Sequence, residues 1–184
     1  MPILGTLASS VQKSSNSFES IATVIVGSGG ASNITFSSIP STYQHLQIRA
    51  NWGFTDITNN TWLNTRFNSD SGSNYAYHAL RGNGSTISAG TQSASNTRLS
   101  LGADDNGDAS VWAVSVADIL DYTNSNKYKT TRALAGQDRN GVGAINLWGG
   151  LWMNTAAITS INIYTDMSTF RQNSIFALYG IKGE

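Results

Sequence analysis

The sequence has no cysteine and few charged residues. Without cysteine, disulfide bonds and thiolate zinc sites are excluded. Only 12% of the 184 residues are charged, and eleven basic side chains balance eleven acidic ones. Nucleic acids and anionic membranes are bound by a surplus of Lys and Arg, so this balance argues against both as partners. No apolar run reaches the length of about 18 residues that a membrane span needs, and the first residues lack the pattern of a secretion signal.

Motifs that support catalysis are also missing. The two histidines, His45 and His78, are not accompanied by a Gly-x-Ser-x-Gly or a His-Glu-x-x-His pattern, and we interpret both as surface or rim side chains. Asp118 and Asp121 are three residues apart on one strand. They point to opposite faces and do not form a glycosidase pair; we expect Asp118 to pair with an Arg or the backbone of a neighbouring strand. We predict no catalytic residues, and that the protein is not an enzyme.

Metal and cofactor sites are not predicted either. Asp104, Asp105, Asn106 and Asp108 crowd one turn, where oxygen ligands can hold calcium, but the EF-hand spacing is not met. We interpret the segment as a solvated turn. The glycine-rich loops lack a following helix and a lysine in the phosphate position, so we interpret them as turns rather than nucleotide sites.

The sequence does show the patterning of β-strands. The clearest alternation runs from His45 to Trp52, with Leu46, Ile48 and Ala50 on the inward side. About ten such short segments are separated by turn signals, and none has a helical period. We therefore predict an all-β protein whose single domain, residues 18–184, is a jelly-roll-like β-sandwich.

Several pairings and loops follow from the same patterns. We predict one hairpin between Phe18–Val26 and Ser32–Phe36, and another at the Asn124-Ser-Asn126 turn, where the strand ending at Tyr122 meets the one beginning at Lys127. Residues 82–96, rich in Ser, Gly and Thr, are predicted to be a long loop.

The last segment, residues 174–183, is apolar on both parities. We predict an interior closing strand that pairs with the first strand. Residues 1–17 are predicted to form an N-terminal arm. They are interpreted either as a disordered terminus or as an extended arm that docks on a neighbouring subunit through Ile3, Leu4 and Leu7.

Five tryptophans are many for this length. Trp52 and Trp112 lie on the apolar parity of their strands and are predicted to fill the core. Trp62, Trp148 and Trp152 remain as candidate exposed platforms for stacking on sugar rings, which would make the protein a carbohydrate-binding module.

Motifs along the whole chain resemble a family of small virion structural proteins of tailed phages, notably cyanobacterial and other aquatic phages. The motifs are Met1–Ser10, Phe18–Val24, Ile34–Tyr43 with Leu46–Arg49, Arg66–His78, Asp118–Tyr122, Gly150–Ile158 and Phe176–Gly183. The resemblance implies no catalytic residues. It implies a particle component assembled in the bacterial cytoplasm, which fits the missing cysteines and the low charge.

The leading hypothesis is therefore a capsid decoration (cement) protein on the virion surface. We expect it to form a homo-oligomer, a trimer, and to bind the major capsid protein or another virion protein through the arm. The alternative is a tail-fibre or receptor-binding component that recognises a host glycan through Trp62, Trp148 or Trp152 and the 82–96 loop. An enzyme acting on surface glycans is a weaker option, because the carboxylate pair is missing.

Overall fold

The protein consists of β-strands, described by a computed structural model that covers residues 17–56, 61–104 and 110–183. These ranges contain no helix, and so none that could cross a bilayer. Twelve strands occur in them: β1 (Phe18–Ile25), β2 (Asn33–Phe36), β3 (His45–Trp52), β4 (Thr61–Phe67), β5 (Tyr75–Gly82), β6 (Ile87–Asn96), β7 (Leu99–Asp104), β8 (Ala113–Leu120), β9 (Lys129–Asp138), β10 (Gly143–Trp152), β11 (Ile161–Tyr164) and β12 (Ile175–Ile181).

The strands form two antiparallel sheets of unequal size. The larger has eight strands in the order β1-β12-β3-β8-β9-β10-β5-β6, and the smaller has four in the order β2-β11-β4-β7. The smaller sheet packs on one face of the larger one, with β7 against β8, β9 and β10. The predicted all-β sandwich is confirmed, and its jelly-roll form stays a prediction. The inequality of the sheets leaves the other face of the larger sheet without a covering layer among the described residues.

The closing strand lies in the interior of the larger sheet, as its sequence predicts. β12 pairs with β1 on one side and with β3 on the other, both antiparallel. Phe176 and Leu178 are fully buried between the sheets. Ser17, the first described residue, accepts a hydrogen bond at its carbonyl from the Lys182 N–H at 3.0 Å. The two ends of the described chain are therefore neighbours.

The core combines large side chains from some strands with small ones from others. Trp52, Phe67 and Phe176 are completely buried. The inward side chains in the middle of β8 and β9 are small, among them Ala117 and Ala133. Large rings need this space because protein interiors are packed to the density of organic crystals.

The orientation of β8 corrects a prediction. One face of this strand carries Val114, Val116 and Leu120, and it points outward and is exposed. The other face, with Ala113, Ala117 and Ile119, points to the core. The physical reason is space, because the sheet opposite fills the core and leaves room only for small residues here. Trp112, predicted to fill the core, precedes the strand and is half-buried, with the Arg171 guanidinium carbon 4.4 Å from its ring centroid.

Two further predictions are wrong, and one is confirmed. β1 and β2 do not form a hairpin: they lie in different sheets, where β2 pairs with β11. Residues 87–96 are not part of a loop but form β6, whose backbone pairs with β5. Ladder hydrogen bonds stabilise this strand, in which Ile87 is the one large apolar residue. The hairpin at residues 124–126 is confirmed, since β8 and β9 pair antiparallel.

Lys129 is buried completely, although it is a lysine at the start of β9. Its Nζ donates hydrogen bonds to the carbonyls of Asn124, Lys127 and Thr155, at 2.6, 3.0 and 2.9 Å. Removal from water, together with the positive charge of Lys127, lowers the pKa of Lys129. The three carbonyls tie the β8–β9 turn to the segment that follows β10.

Candidate functional site

The uncovered face of the larger sheet carries a row of apolar side chains. Val116 of β8 lies opposite Leu134 of β9, Leu134 opposite Leu147 of β10, and Leu147 opposite Leu80 of β5. Their side chains are 42–54% exposed. The row crosses four neighbouring strands and continues to Ala89 of β6, a span of about 19 Å at the usual strand spacing.

A second row runs beside the first and has a hollow in it. Val114 lies opposite Gly136, and Gly136 opposite Ile145; the row ends at Gly82 and Ile87. Gly136 has no side chain, and a cavity of about 260 Å³ opens there. Its walls are almost wholly apolar, formed by residues of the two rows. The outer apolar face is defined by its exposed large members, Leu80, Ile87, Val114, Val116, Leu134, Ile145 and Leu147.

Polar side chains border this face on one side. Asp118 accepts hydrogen bonds from Gln47 Nε2 and from Arg132 Nη2, each at 2.8 Å. Arg49 in turn donates to Gln47 Oε1 at 2.8 Å. Although burial acts to raise the pKa of Asp118, the hydrogen bonds from Gln47 and Arg132 hold it below its usual value. Asp118 pairs with an arginine of the next strand, as predicted, and the border presents paired charges.

A second candidate site is an aromatic cleft between the two sheets. Trp62 of β4 meets Trp148 of β10 edge to face, with ring centroids 5.4 Å apart and an interplanar angle of 87°. Tyr77 of β5 approaches Trp148 at 5.1 Å and 67°. These three rings line or border two adjoining cavities of about 170 and 250 Å³, which share Trp62 and Tyr77. Trp62 is 41% exposed, so it remains a candidate platform.

Trp148 and Trp152 are not exposed platforms, which corrects the prediction for both. Trp148 is 5% and Trp152 1% exposed. They share the inward parity of β10 with Asn146 and Gly150, so the smaller sheet covers them. The two glycines between them, Gly149 and Gly150, lie within the same paired strand.

Polar groups at the bottom of the cleft lack partners. Asn146 is 1% exposed, and neither its Nδ2 nor its Oδ1 has a hydrogen bond within the described part of the chain. The same holds for Trp148 Nε1. Both side chains line the 170 Å³ cavity. Buried polar groups are normally paired, so three unpaired atoms beside one cavity call for a partner.

Trp152 has a partner, which explains why it takes no part in the cleft. Its Nε1 donates to Asp70 Oδ2 at 2.7 Å. Asp70 also accepts from Asn74 Nδ2 at 2.9 Å and from the Gly72 N–H at 2.9 Å. Burial acts to raise the pKa of Asp70, but the hydrogen bonds from Trp152, Asn74 and Gly72 hold it below its usual value. This arrangement is structural.

The other predicted sites lie elsewhere or outside the described residues. Ile3, Leu4 and Leu7 fall outside the described ranges, as does most of the acidic turn at 104–108. His45 Nδ1 accepts from the Asp121 N–H at 2.9 Å, and exposed His78 contacts Thr91 Oγ1 at 3.2 Å. No three His, Asp or Glu side chains among the described residues are grouped so as to hold a metal ion.

Sequence reasoning missed both the outer apolar face and Asn146. The sequence did carry a signal for the outer apolar face. The alternate positions of β8 and β9 carry Ala and Ser, and such small side chains fit beneath the large rings of a core. Asn146 gave no signal, since it is one of many asparagines. Searches of known protein families, curated proteins and solved structures found no match to this chain.

Proposed function

We propose that this protein is a structural component of a tailed-phage particle, a capsid decoration protein that binds the assembled lattice. The observation that carries the proposal is the outer apolar face, two rows of exposed apolar side chains across neighbouring strands. Contiguous apolar surfaces of this kind mark protein–protein contacts. The partner is a protein surface that presents an apolar side chain to the hollow at Gly136.

The charge of the molecule supports the same function. The formal net charge is zero, and a neutral surface does little to oppose association. A protein that binds only the assembled lattice stabilises it by mass action. We propose that the protein acts as a trimer on the capsid surface, where several weak contacts reinforce each other, and that the major capsid protein or another virion protein is its partner.

The N-terminal arm is proposed as a second contact, through Ile3, Leu4 and Leu7. Ser17 and Lys182 lie together at the β1–β12 edge of the larger sheet. Ser17, the residue that follows the arm, lies at the edge opposite β6, and we propose that the arm binds a neighbour while the outer apolar face binds the lattice.

The test is binding of the purified protein to particles that lack it. Leu134→Lys combined with Leu147→Lys places two charges on the outer apolar face, and we expect cosedimentation with the particles to fall at least tenfold. Met167→Lys is the matched control, because Met167 is 60% exposed but lies in a turn away from this face.

Unchanged cosedimentation of the double variant would contradict the role of this face. Removal of residues 1–10 should also weaken binding and leave the circular dichroism spectrum unaltered, and retained binding would remove the arm from the proposal. Electron microscopy of virions should place the protein on the capsid, whereas a position on the tail would end the decoration hypothesis.

A tail-fibre or receptor-binding role is the second candidate. The aromatic cleft favours it, because Trp62 presents an exposed ring beside unpaired polar groups. The sequence predicted this role through Trp62, Trp148 or Trp152 and a loop at 82–96, but Trp148 and Trp152 are buried and residues 87–96 form β6. A tail location together with glycan binding would support the receptor role over decoration.

A further inference from the structure

The bottom of the aromatic cleft has hydrogen-bonding capacity that the described residues leave unused. Asn146 offers both a donor and an acceptor, and Trp148 offers a donor, yet all three groups lack a partner there. A buried amide without a hydrogen bond lowers the free energy of unfolding, and an apolar residue at position 146 would avoid this loss. The retained amide and indole N–H therefore point to a molecule that enters the cleft.

The cleft walls combine aromatic rings with small residues. Ala79 and Gly90 occupy positions where larger side chains would fill the 170 Å³ cavity. Trp62 and Tyr77 separate this cavity from the adjoining one of about 250 Å³. Pockets for small molecules have this composition, with apolar and aromatic walls and a few converging polar groups.

The rim of both cavities is polar and has no carboxylate among its described residues. Arg81 and Ser88 line the first cavity, and the second is lined by Gln92, Asn96, Arg98 and Ser100. Arg98 is already paired with Asp166 at 2.9 Å. The rim therefore does not select a cationic ligand, and its amide, hydroxyl and guanidinium groups can bind the hydroxyl groups of a neutral one.

We propose that this cleft binds one pyranose ring of a carbohydrate, with the neighbouring sugar of a chain in the adjoining cavity. The apolar C–H face of the ring packs on the exposed face of Trp62. Its hydroxyl groups donate to Asn146 Oδ1 and accept from Asn146 Nδ2 and Trp148 Nε1. A hydroxyl group is both donor and acceptor, so it satisfies all three unpaired atoms.

The ring geometry distinguishes a sugar from a nucleobase. A flat base is held between parallel aromatic faces or on a stacking platform within a basic groove. Trp62 and Tyr77 instead meet Trp148 at 87° and 67°, which makes a corner rather than a slot. The zero net charge also disfavours a nucleic acid.

The experiment titrates the full-length protein with single sugars and follows tryptophan fluorescence and NMR shifts. The probes are the methyl glycosides of glucose, galactose, mannose, N-acetylglucosamine and glucuronic acid, with a nucleoside monophosphate as the non-sugar arm. We expect saturable binding of at least one glycoside at millimolar concentration. Neutral sugars binding in preference to glucuronate would assign the site to a neutral glycan, and the reverse would assign it to an acidic one.

Two variants test the proposed contacts. Asn146→Leu keeps the side-chain size but removes the amide, so it should weaken binding at least tenfold while the midpoint of thermal unfolding stays unchanged or rises. Trp62→Ala should weaken binding to a similar extent. Tyr128→Ala is the matched control, because Tyr128 is an exposed aromatic outside the cleft, and its affinity should equal that of the parent protein.

Three outcomes would overturn the inference: no saturable response to any glycoside, wild-type affinity in Asn146→Leu, or tighter binding of the nucleotide than of every sugar. In the first case Asn146 is satisfied by ordered water alone. The inference does not depend on capsid binding, since Asn146→Leu leaves the outer apolar face intact and should cosediment with particles like the parent protein.

Discussion

Asp70 is the residue that holds the β5 end of the sandwich together. Its carboxylate accepts hydrogen bonds from Trp152, Asn74 and the Gly72 backbone, and its own carbonyl accepts from the hydroxyl of Tyr75 at 3.0 Å. A half-buried carboxylate with three donors is stabilised in its charged form. The indole N–H of Trp152 is occupied by this contact, and it is unavailable to a ligand.

Asp70→Asn is expected to lower the free energy of unfolding at pH 7 by about 1–2 kcal/mol, since hydrogen bonds to a charged acceptor are lost. The pKa of Asp70 is lower in the folded than in the unfolded protein. Its stabilising contribution is therefore present above the unfolded value of about 4 and disappears as the pH falls through the folded value. Urea unfolding at a series of pH values measures the effect.

The difference between the parent protein and Asp70→Asn should thus be largest near neutral pH and shrink in acid. A difference independent of pH would mean that charge plays no part. Trp152→Phe keeps an aromatic ring and removes one donor to Asp70, so it should reproduce part of the same pH dependence.

At the scale of the element, β8 and β9 are packed by their smaller residues. Ala117 and Ala133 are fully buried, while Val116 and Leu134 are exposed on the adjacent positions. The core side of these strands is occupied by rings such as Trp52, whose Nε1 donates to Ser115 Oγ at 3.0 Å. The larger residues face outward and are free to contact a partner.

Substitutions at neighbouring positions of β9 should therefore change stability in an order that side-chain hydrophobicity does not predict. Adding apolar atoms at Ala133 should destabilise the protein, and removing them at Leu134 should have little effect. Ala133→Leu inserts three carbons into a filled core and should cost about 1–3 kcal/mol of stability. Leu134→Ala should change stability by less than about 0.5 kcal/mol, as for other surface positions. Chemical denaturation measures the free energy of unfolding of the two variants. A larger loss for Leu134→Ala than for Ala133→Leu would mean that Leu134, and not Ala133, faces the core.

At the scale of the whole molecule, the order of the strands joins the two ends of the chain. β12, the last strand, lies between β1 and β3 and supplies Phe176 and Leu178 to the core. Without β12, β1 is cut off from the larger sheet, and β3 keeps only its pairing with β8. The larger sheet is complete only when the last residues have been added.

A chain that ends at Asn173 should therefore not fold. Among the described strands β12 is the only neighbour of β1 in the larger sheet, and the core would also lose two large side chains. At about 2–5 kcal/mol each, the side chains alone account for a loss of about 4–10 kcal/mol, which is comparable to the stability of about 5–15 kcal/mol of ordinary domains, and the β12 ladder is lost as well. Far-UV circular dichroism and limited proteolysis measure folding. A chain that ends at Lys182 is the control, and a folded 173-residue chain would contradict the central role of β12.

Part of the fold was predictable because it depends on local patterns. Alternation identified β3, the turn at 124–126 identified the β8–β9 hairpin, and apolar residues on both parities identified β12 as an interior strand. β6 was missed because all its residues except Ile87 are small or polar, and it is held by backbone pairing with β5. The hydrogen bonds of a ladder do not depend on side chains.

The candidate sites were predictable only in part. The sequence singled out Trp62, which does border the cleft, but it also singled out Trp148 and Trp152, which are buried. Whether a tryptophan is exposed depends on what packs against it, and this is set by strands distant in sequence. The unpaired state of Asn146 depends on neighbours in the same way.

The sequence by itself determined that this protein is built from β-strands, because alternation and turn residues act over a few positions. It also indicated an interior position for the last strand, because apolar residues on both of its faces disfavour a solvent-exposed sheet edge. Only the tertiary structure decided which face of β8, β9 and β10 is covered. Alternation distinguishes two faces, but a four-stranded sheet covers one of them, and the volume left beneath it selects the smaller side chains for the core.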